Sequence, residues 1–339
     1  MSVGKAAMVA MPKAPASSCA NPFFAPWFIA AAERHLLGAD ALRFIGLSSV
    51  GALPVMRRGK IGGLPFGHDQ SLPLDHCFCG DSIADDAAGE QPVRDLFLRL
   101  VPEDSSVHAA LCALPGATIL KTRRRAFVTG GQAYESWEKE TLSARKRKGY
   151  RRLARRLEEE GAVAEEWLTG GSELSQWTEE FIALEGMGWK RETGTAFGCD
   201  PKQRAFLHDA LTGAAEAGAL LFYRKTVDGK PIAMLISFRG GDIIYTFKIA
   251  HDPAFEKYSP GVHAMLAVAR RMMDDGLAQA CDSCADEDHP MIDALWPERR
   301  ILHDWFIPVT GAGRAFVAPM LKRHAAWKRT RKAKTQVQD

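Results

Sequence analysis

Ala219-Leu-Leu-Phe-Tyr-Arg-Lys-Thr226, Pro231-Ile-Ala-Met-Leu-Ile-Ser-Phe238 and Ile243-Ile-Tyr-Thr-Phe-Lys-Ile249 are three apolar runs of strand length, and their punctuation decides the fold. Asp228-Gly229 separates the first two as a tight hairpin does, and Arg239-Gly-Gly-Asp242 separates the second from the third. Ser259-Pro260-Gly261 then opens an apolar helix running to about Asp275, with Gly276 where a helix ends. A short strand, Ala278 to Ser283, comes next. The sequence therefore predicts an antiparallel meander, a helix and one further strand.

Upstream, Leu142–Gly161 predicts a strongly basic helix carrying Arg145, Lys146, Arg147, Lys148, Arg151, Arg152, Arg155 and Arg156. Tyr150, Leu153 and Leu157 form its narrow apolar stripe. Cations early and anions late oppose the helix dipole, at a few tenths of a kcal/mol each, so local stability does not explain the pattern. Two readings stand: a solvated helix whose arginines meet acidic neighbours such as Glu165 or Glu179, or a patch for an anionic partner. Glu173–Glu185 and Pro201–Ala217 predict two more helices, joined by a glycine-punctuated loop.

The first part of the chain is less regular. Phe23–Leu37 reads as a helix opened by Asn21-Pro22, and Ala41–Leu47 and Val50–Met56 read as strands. Arg57 to Asp81 reads as loop with short strands, Val93–Leu100 as a helix and Val107–Leu111 as a strand.

At 339 residues, with 46% apolar and 25% charged residues, two domains are expected. The net charge of +3 confines any affinity for nucleic acid to a local patch. No window is apolar enough to span a membrane, and the segment before residue 20 is a poor secretion signal, so a cytoplasmic location is expected. Seven scattered cysteines argue against a disulfide framework. Cys77/Cys79 with Cys281/Cys284 is a zinc set on paper only, and no metal is expected.

Several blocks carry a family resemblance: Ser143–Leu153, Leu184–Lys190 with Gly194-Thr195-Ala196, Phe247–Ala250, Tyr258–Gly261, Asp282–Ala285, His289–Asp293 and Leu295-Trp296. They resemble GNAT-superfamily proteins of the CelD-like type, associated with cellulose biosynthesis and similar to Fem-type transferases with two tandem GNAT folds. The resemblance implies an α/β (α+β) architecture of two GNAT-like domains, each a mixed, mostly antiparallel sheet flanked by helices. Expected limits are 21–140 and 141–320, with flexible tails at 1–20 and 321–339.

The implied activity is acyl transfer from acetyl-CoA or another acyl-CoA to an amine or hydroxyl of a small metabolite or glycan precursor. Tyr258, Ser259, Gly261 and Val262 stand where the family grips the donor pyrophosphate, although only Gly261 matches the usual glycine pattern. Unpaired N–H groups at a helix start suit phosphate. The expected catalytic groups are Lys248, out of character in an apolar strand, and Asp282 with His289 as base and orienting partner. Glu185, Trp189 and Lys190 are expected against the substrate. Two rivals remain: an aminoacyl-tRNA-dependent Fem-like transferase using the Arg145–Arg156 helix on RNA, and a non-catalytic module.

Overall fold

The hairpin marked by Asp228-Gly229 forms as its residues dictate: both adopt positive φ, 48° and 77°, the mirror-image turn whose twist matches the flanking strands. The Asp228 carboxylate also accepts the Ala162 N–H at 2.8 Å, tying the turn to the chain ahead of the neighbouring strand. The computed structural model describes residues 21–38, 41–47, 51–61, 64–81, 89–188, 192–321 and 323. The expected tails therefore lie outside the described residues, apart from Leu321 and Arg323.

Among the described residues eleven strands form one sheet: β1 (Arg43–Gly46), β2 (Ala52–Ile61), β3 (Leu64–Ser71), β4 (Leu96–Pro102), β5 (Thr118–Thr129), β6 (Val163–Leu168), β7 (Leu220–Val227), β8 (Lys230–Gly240), β9 (Ile243–His251), β10 (Ala280–Asp282) and β11 (Glu298–Ile307). The helices are α1 (Pro26–Ala32), α2 (Ser106–Ala113), α3 (Tyr134–Thr141), α4 (Ala144–Glu158), α5 (Leu174–Glu185), α6 (Pro201–Glu216), α7 (Pro260–Asp274) and α8 (Pro290–Leu295). The spatial order is β1-β2-β3-β4-β11-β5-β10-β9-β8-β7-β6. Only β3–β4 and β9–β10 run parallel among these neighbours, so the fold is a mixed, mostly antiparallel sheet flanked by helices. β10 bridges the two halves, antiparallel to β5 and parallel to β9. β11, late in the chain, lies between β4 and β5.

β7 to β9 read as continuous apolar runs because helices cover both of their faces. Leu220, Phe222, Met234, Ile236 and Phe238 share one core with Phe181 of α5, Phe206 and Leu207 of α6 and Phe28 of α1. Leu221, Tyr223, Leu235 and Ile244 enter a second core with Met265, Val268 and Met272 of α7. The N-terminal segment is welded to the first of these. Fully buried Asn21 caps Phe23 N with its Oδ1 at 3.0 Å and donates from Nδ2 to the carbonyls of Cys79 and Asp81, both at 3.1 Å. Phe23 then meets Phe28, Phe78 and Tyr245 edge to face.

Three expectations are corrected. Val93–Leu100 contributes to β4 instead of a helix: Leu96, Leu98 and Leu100 are buried in alternation, which is strand periodicity. Val107–Leu111 belongs to α2 instead of a strand. Ser105 accepts the His108 N–H at 3.1 Å as an N-cap, and Val107 and Leu111 bury one helical stripe. Arg57 to Asp81, expected as loop with short strands, carries longer ones: the second half of β2 and all of β3.

Candidate active site

β9 and β10 begin as neighbours and then part. Ile243, Ile244 and Tyr245 pair with Ala280, Cys281 and Asp282, and the pairing stops there. At the fork Thr246 Oγ1 donates to the Ser283 carbonyl at 2.6 Å. Opposite β8 the register slips, with Ile236 facing Lys248 and Ser237 facing Thr246, so Phe247 is the extra residue of a bulge. A bulge re-aims the side chains beyond it. Tyr245 and Phe247 point into the α5/α6 core, and after the slip Lys248 and Ala250 turn to that side while Ile249 packs against the α7 core. The Lys248 ammonium consequently lies 5.4–5.6 Å from the ring centres of Phe78, Phe197 and Phe247.

A cleft of about 480 Å³ opens at this fork. Lys248 of β9, Asp286 and Glu287 beyond β10, Arg99 of β4 and Lys121, Arg123 and Arg125 of β5 line it, together with Asp75. Two of these cations are already engaged. Arg123 forms a bidentate pair with Asp304 at 2.6 and 2.7 Å. Arg125 donates to the Phe78 carbonyl at 2.7 Å and reaches Asp282 at 3.4 Å. Arg99 and Lys121 make no ion pair among the described residues. Burial and the Arg123 charge lower the Lys121 pKa.

Asp282 itself is fully buried between Arg125 and Arg300, the latter at 3.3 Å, and it accepts the Cys284 N–H at 2.9 Å. It holds charges in place and does not face open solvent. Cys79 and Tyr245 adjoin the same network, and burial pushes the thiols of Cys77 and Cys79 up to about 12, so both stay protonated. His289 is elsewhere: its Nδ1 accepts the Ile292 N–H at 3.4 Å as the N-cap of α8. Asp282 and His289, expected as a dyad, share no hydrogen bond.

The expected donor grip starts α7 as foreseen but is covered. Ser259 adopts the left-handed conformation, φ 53°, uncommon for a residue with a side chain. Its carbonyl accepts the N–H groups of Val262 and His263, while its hydroxyl takes no part in capping. Pro260, Gly261 and Val262 are buried, and a Cβ on Gly261 would touch Met291 Sδ at 3.5 Å and Ile249 Cδ1 at 3.6 Å. Tyr258 turns away from that turn, buried among Leu157, Val227 and Ile232 with its hydroxyl on Glu160. Glu185, expected against substrate, is buried and accepts the Phe197 N–H at 2.8 Å, which fixes one ring beside Lys248. Trp189 and Lys190 lie outside the described residues.

The basic helix α4 is partly consumed by its surroundings. Arg147 donates to the carbonyls of Lys139 and Leu142, Arg151 pairs with Glu138 at 2.8 Å, and Lys146 donates to the Ala294 carbonyl at 2.7 Å. The acidic partner is thus Glu138; Glu165 and Glu179 instead meet Lys225 and Arg204 with His208. A second cleft, of about 540 Å³, lies between α3, α4 and α7 over β6 and β7. Its floor holds the Lys225–Glu165 pair at 2.9 Å and His263, whose pKa burial lowers to about 4.

With this geometry in view, residues 144–289 match the model of an acetyltransferase (GNAT) domain. This stretch, a little under half of the chain, is similar to a GNAT acetyltransferase domain, and the match supports an acyltransferase. The matched stretch contains the parting strands β9 and β10 and the helix α7 between them. A conserved protein of unknown function from Bacteroides thetaiotaomicron is similar in fold, with a TM-score of 0.53 and 9% identity over 88% of this chain and 94% of that one. FemX aligns at a TM-score of 0.49 and 10% identity, over 82% and 90% of the two chains. A tandem GNAT protein from the clavulanic acid biosynthesis pathway aligns at 0.42 and 12%, over 84% and 88%. No curated protein sequence matches the chain. Among the described residues no helix is long and apolar enough to cross a membrane.

Sequence reasoning missed the cationic wall. Arg99, Lys121, Arg123 and Arg125 come from β4 and β5, and the alternation Lys121, Arg123, Arg125 was the available signal: charges two apart share one face of a strand. Asp286 and Glu287 stand just past the Asp282–Ala285 block and carry no pattern of their own.

Proposed function

We propose that the protein transfers an acyl group from acyl-CoA to an amine or hydroxyl of a small metabolite or glycan precursor at the Lys248 cleft. The observation that carries this reading is the parting of β9 and β10 beside Lys248, which supplies a slot for a pantetheine arm. The donor phosphates would lie at the start of α7, near Ser259, Gly261 and Val262. Met291 covers that turn, and a methionine is flexible enough to swing aside. The Lys248 ammonium is suited to polarise the thioester carbonyl, and Asp286 or Glu287 to take the acceptor's proton. Asp282 would act at one remove by fixing Arg125 and Arg300. Arg99 and Lys121 favour an acceptor bearing a carboxylate or phosphate. We place the division of the chain at 21–140 and 141–320, and the protein in the cytoplasm.

The test combines thermal shift with a thiol-release assay. Acetyl-CoA or a longer acyl-CoA should raise the melting temperature, since a ligand that binds only the native state stabilises it. Release of CoA should require an acidic amine or alcohol. No shift with any acyl-CoA, together with tRNA binding that weakens steeply with salt, would move the donor to aminoacyl-tRNA.

A further inference from the structure

Away from the cleft, three potential metal ligands converge from separate elements. Glu103 lies in the β4–α2 turn, His108 in the first half of α2 and His303 in β11. One ligand atom from each lies within 4.8 Å of the other two. We propose that Glu103, His108 and His303 form a binding site for a divalent transition-metal ion of the zinc type.

Separate local constraints aim these groups at one another. Ser105 caps α2 and sets the phase that brings His108 over the strand. The two imidazoles stack with centroids 5.0 Å apart and planes at 24°. The Glu103 backbone N–H is held by the Ile301 carbonyl at 2.9 Å, which fixes where its side chain starts. His303 is only 5% exposed, and its Nδ1 meets Thr122 Oγ1 at 3.0 Å. That contact is the outer hydrogen bond expected of a metal-bound histidine, and it leaves Nε2 as the ligand atom. Nε2 is buried with no hydrogen-bond partner, as is His108 Nδ1. Buried ring nitrogens without partners are uncommon unless something fills the gap.

The spacing fits. Zinc binds histidine nitrogen and carboxylate oxygen at roughly 2.0–2.2 Å, so two such ligands at a tetrahedral angle stand about 3.3–3.6 Å apart. His303 Nε2 and Glu103 Oε1 are 3.7 Å apart. Two histidines and a glutamate are a ligand set that zinc accepts, with one position left for water. Adjacent strand residues face opposite ways, so Thr122 and His303 lie across the sheet from Lys121, Arg123 and the cleft. The metal would clip α2 to β11 and take no part in the transfer step.

The experiment uses the full chain, stripped with chelator, incubated with zinc chloride and desalted, with zinc counted by mass spectrometry. Cys112 Sγ lies 3.4 Å from His108 Nε2, and exposed thiols scavenge zinc, so Cys112→Ser is the control. The expected result is about one zinc ion per chain in the wild type and in Cys112→Ser. His108→Ala should lose it, and Glu103→Gln, at a half-exposed position that the fold tolerates, should bind at least tenfold more weakly. The proposal fails if the wild type retains no zinc, or if Cys112→Ser loses the metal while His108→Ala keeps it.

Discussion

Replacing Asp282 by alanine separates a structural from a catalytic role for the most buried acid at the fork. The carboxylate is fully buried and compensates two guanidinium groups, Arg125 at 3.4 Å and Arg300 at 3.3 Å. Breaking a buried pair from one side costs about 3–5 kcal/mol, because the remaining charge is stranded. Here the stranded groups keep partners: Arg125 retains the Phe78 carbonyl at 2.7 Å, and Arg300 retains Asp104 at 3.1 Å and the Tyr245 hydroxyl at 3.3 Å. That favours the lower end, about 3 kcal/mol. At an unfolding entropy of about 2.1 cal/mol/K per residue, the chain carries roughly 0.7 kcal/mol/K, so the melting temperature should fall by about 4 °C. Urea denaturation and calorimetry read both quantities. Asp282→Asn, which keeps the size and the Cys284 contact, should lose less. A variant of unchanged stability but abolished turnover would refute the reasoning and restore Asp282 as a base.

The same contacts carry further expected outcomes. Lys248→Met should lower turnover by at least about tenfold, the direction expected when a preorganised donor is removed, with the melting temperature little changed; full activity would exclude Lys248 from the site. Asn21→Ala orphans the Phe23 N–H and the carbonyls of Cys79 and Asp81 and should cost about 2–3 kcal/mol in urea unfolding. The low folded-state pKa of His263, about 4 against an ordinary 6.5, means that the unfolded chain binds its proton first as pH falls. Stability contributed by neutral His263 is therefore complete above pH 6.5 and lost progressively down to about pH 4, by roughly 2–3 kcal/mol after allowance for partial exposure. His263→Gln should flatten that part of the stability profile; a curve identical to wild type would sink the assignment.

Local chemistry carried much of the second half of the fold. Asp228-Gly229 marked a tight turn, Pro260 a helix start, and the three apolar runs the strands β7 to β9. Those signals depend on nearest neighbours, so they are legible without coordinates. In Val93–Leu111 the same kind of signal was present and misassigned: alternating leucines gave β4, and Ser105 with Val107 and Leu111 gave α2.

What the tertiary structure alone decided is where distant residues meet. The insertion of β11 between β4 and β5 has no local signature, because strand neighbours are chosen by the sheet as a whole. For the same reason Arg125, Asp282 and Arg300 are a single network, and Glu103, His108 and His303 a single cluster. The orientation of Lys248 depended on one bulge at Phe247: without that extra residue the lysine would face α7, and its sequence is the same either way.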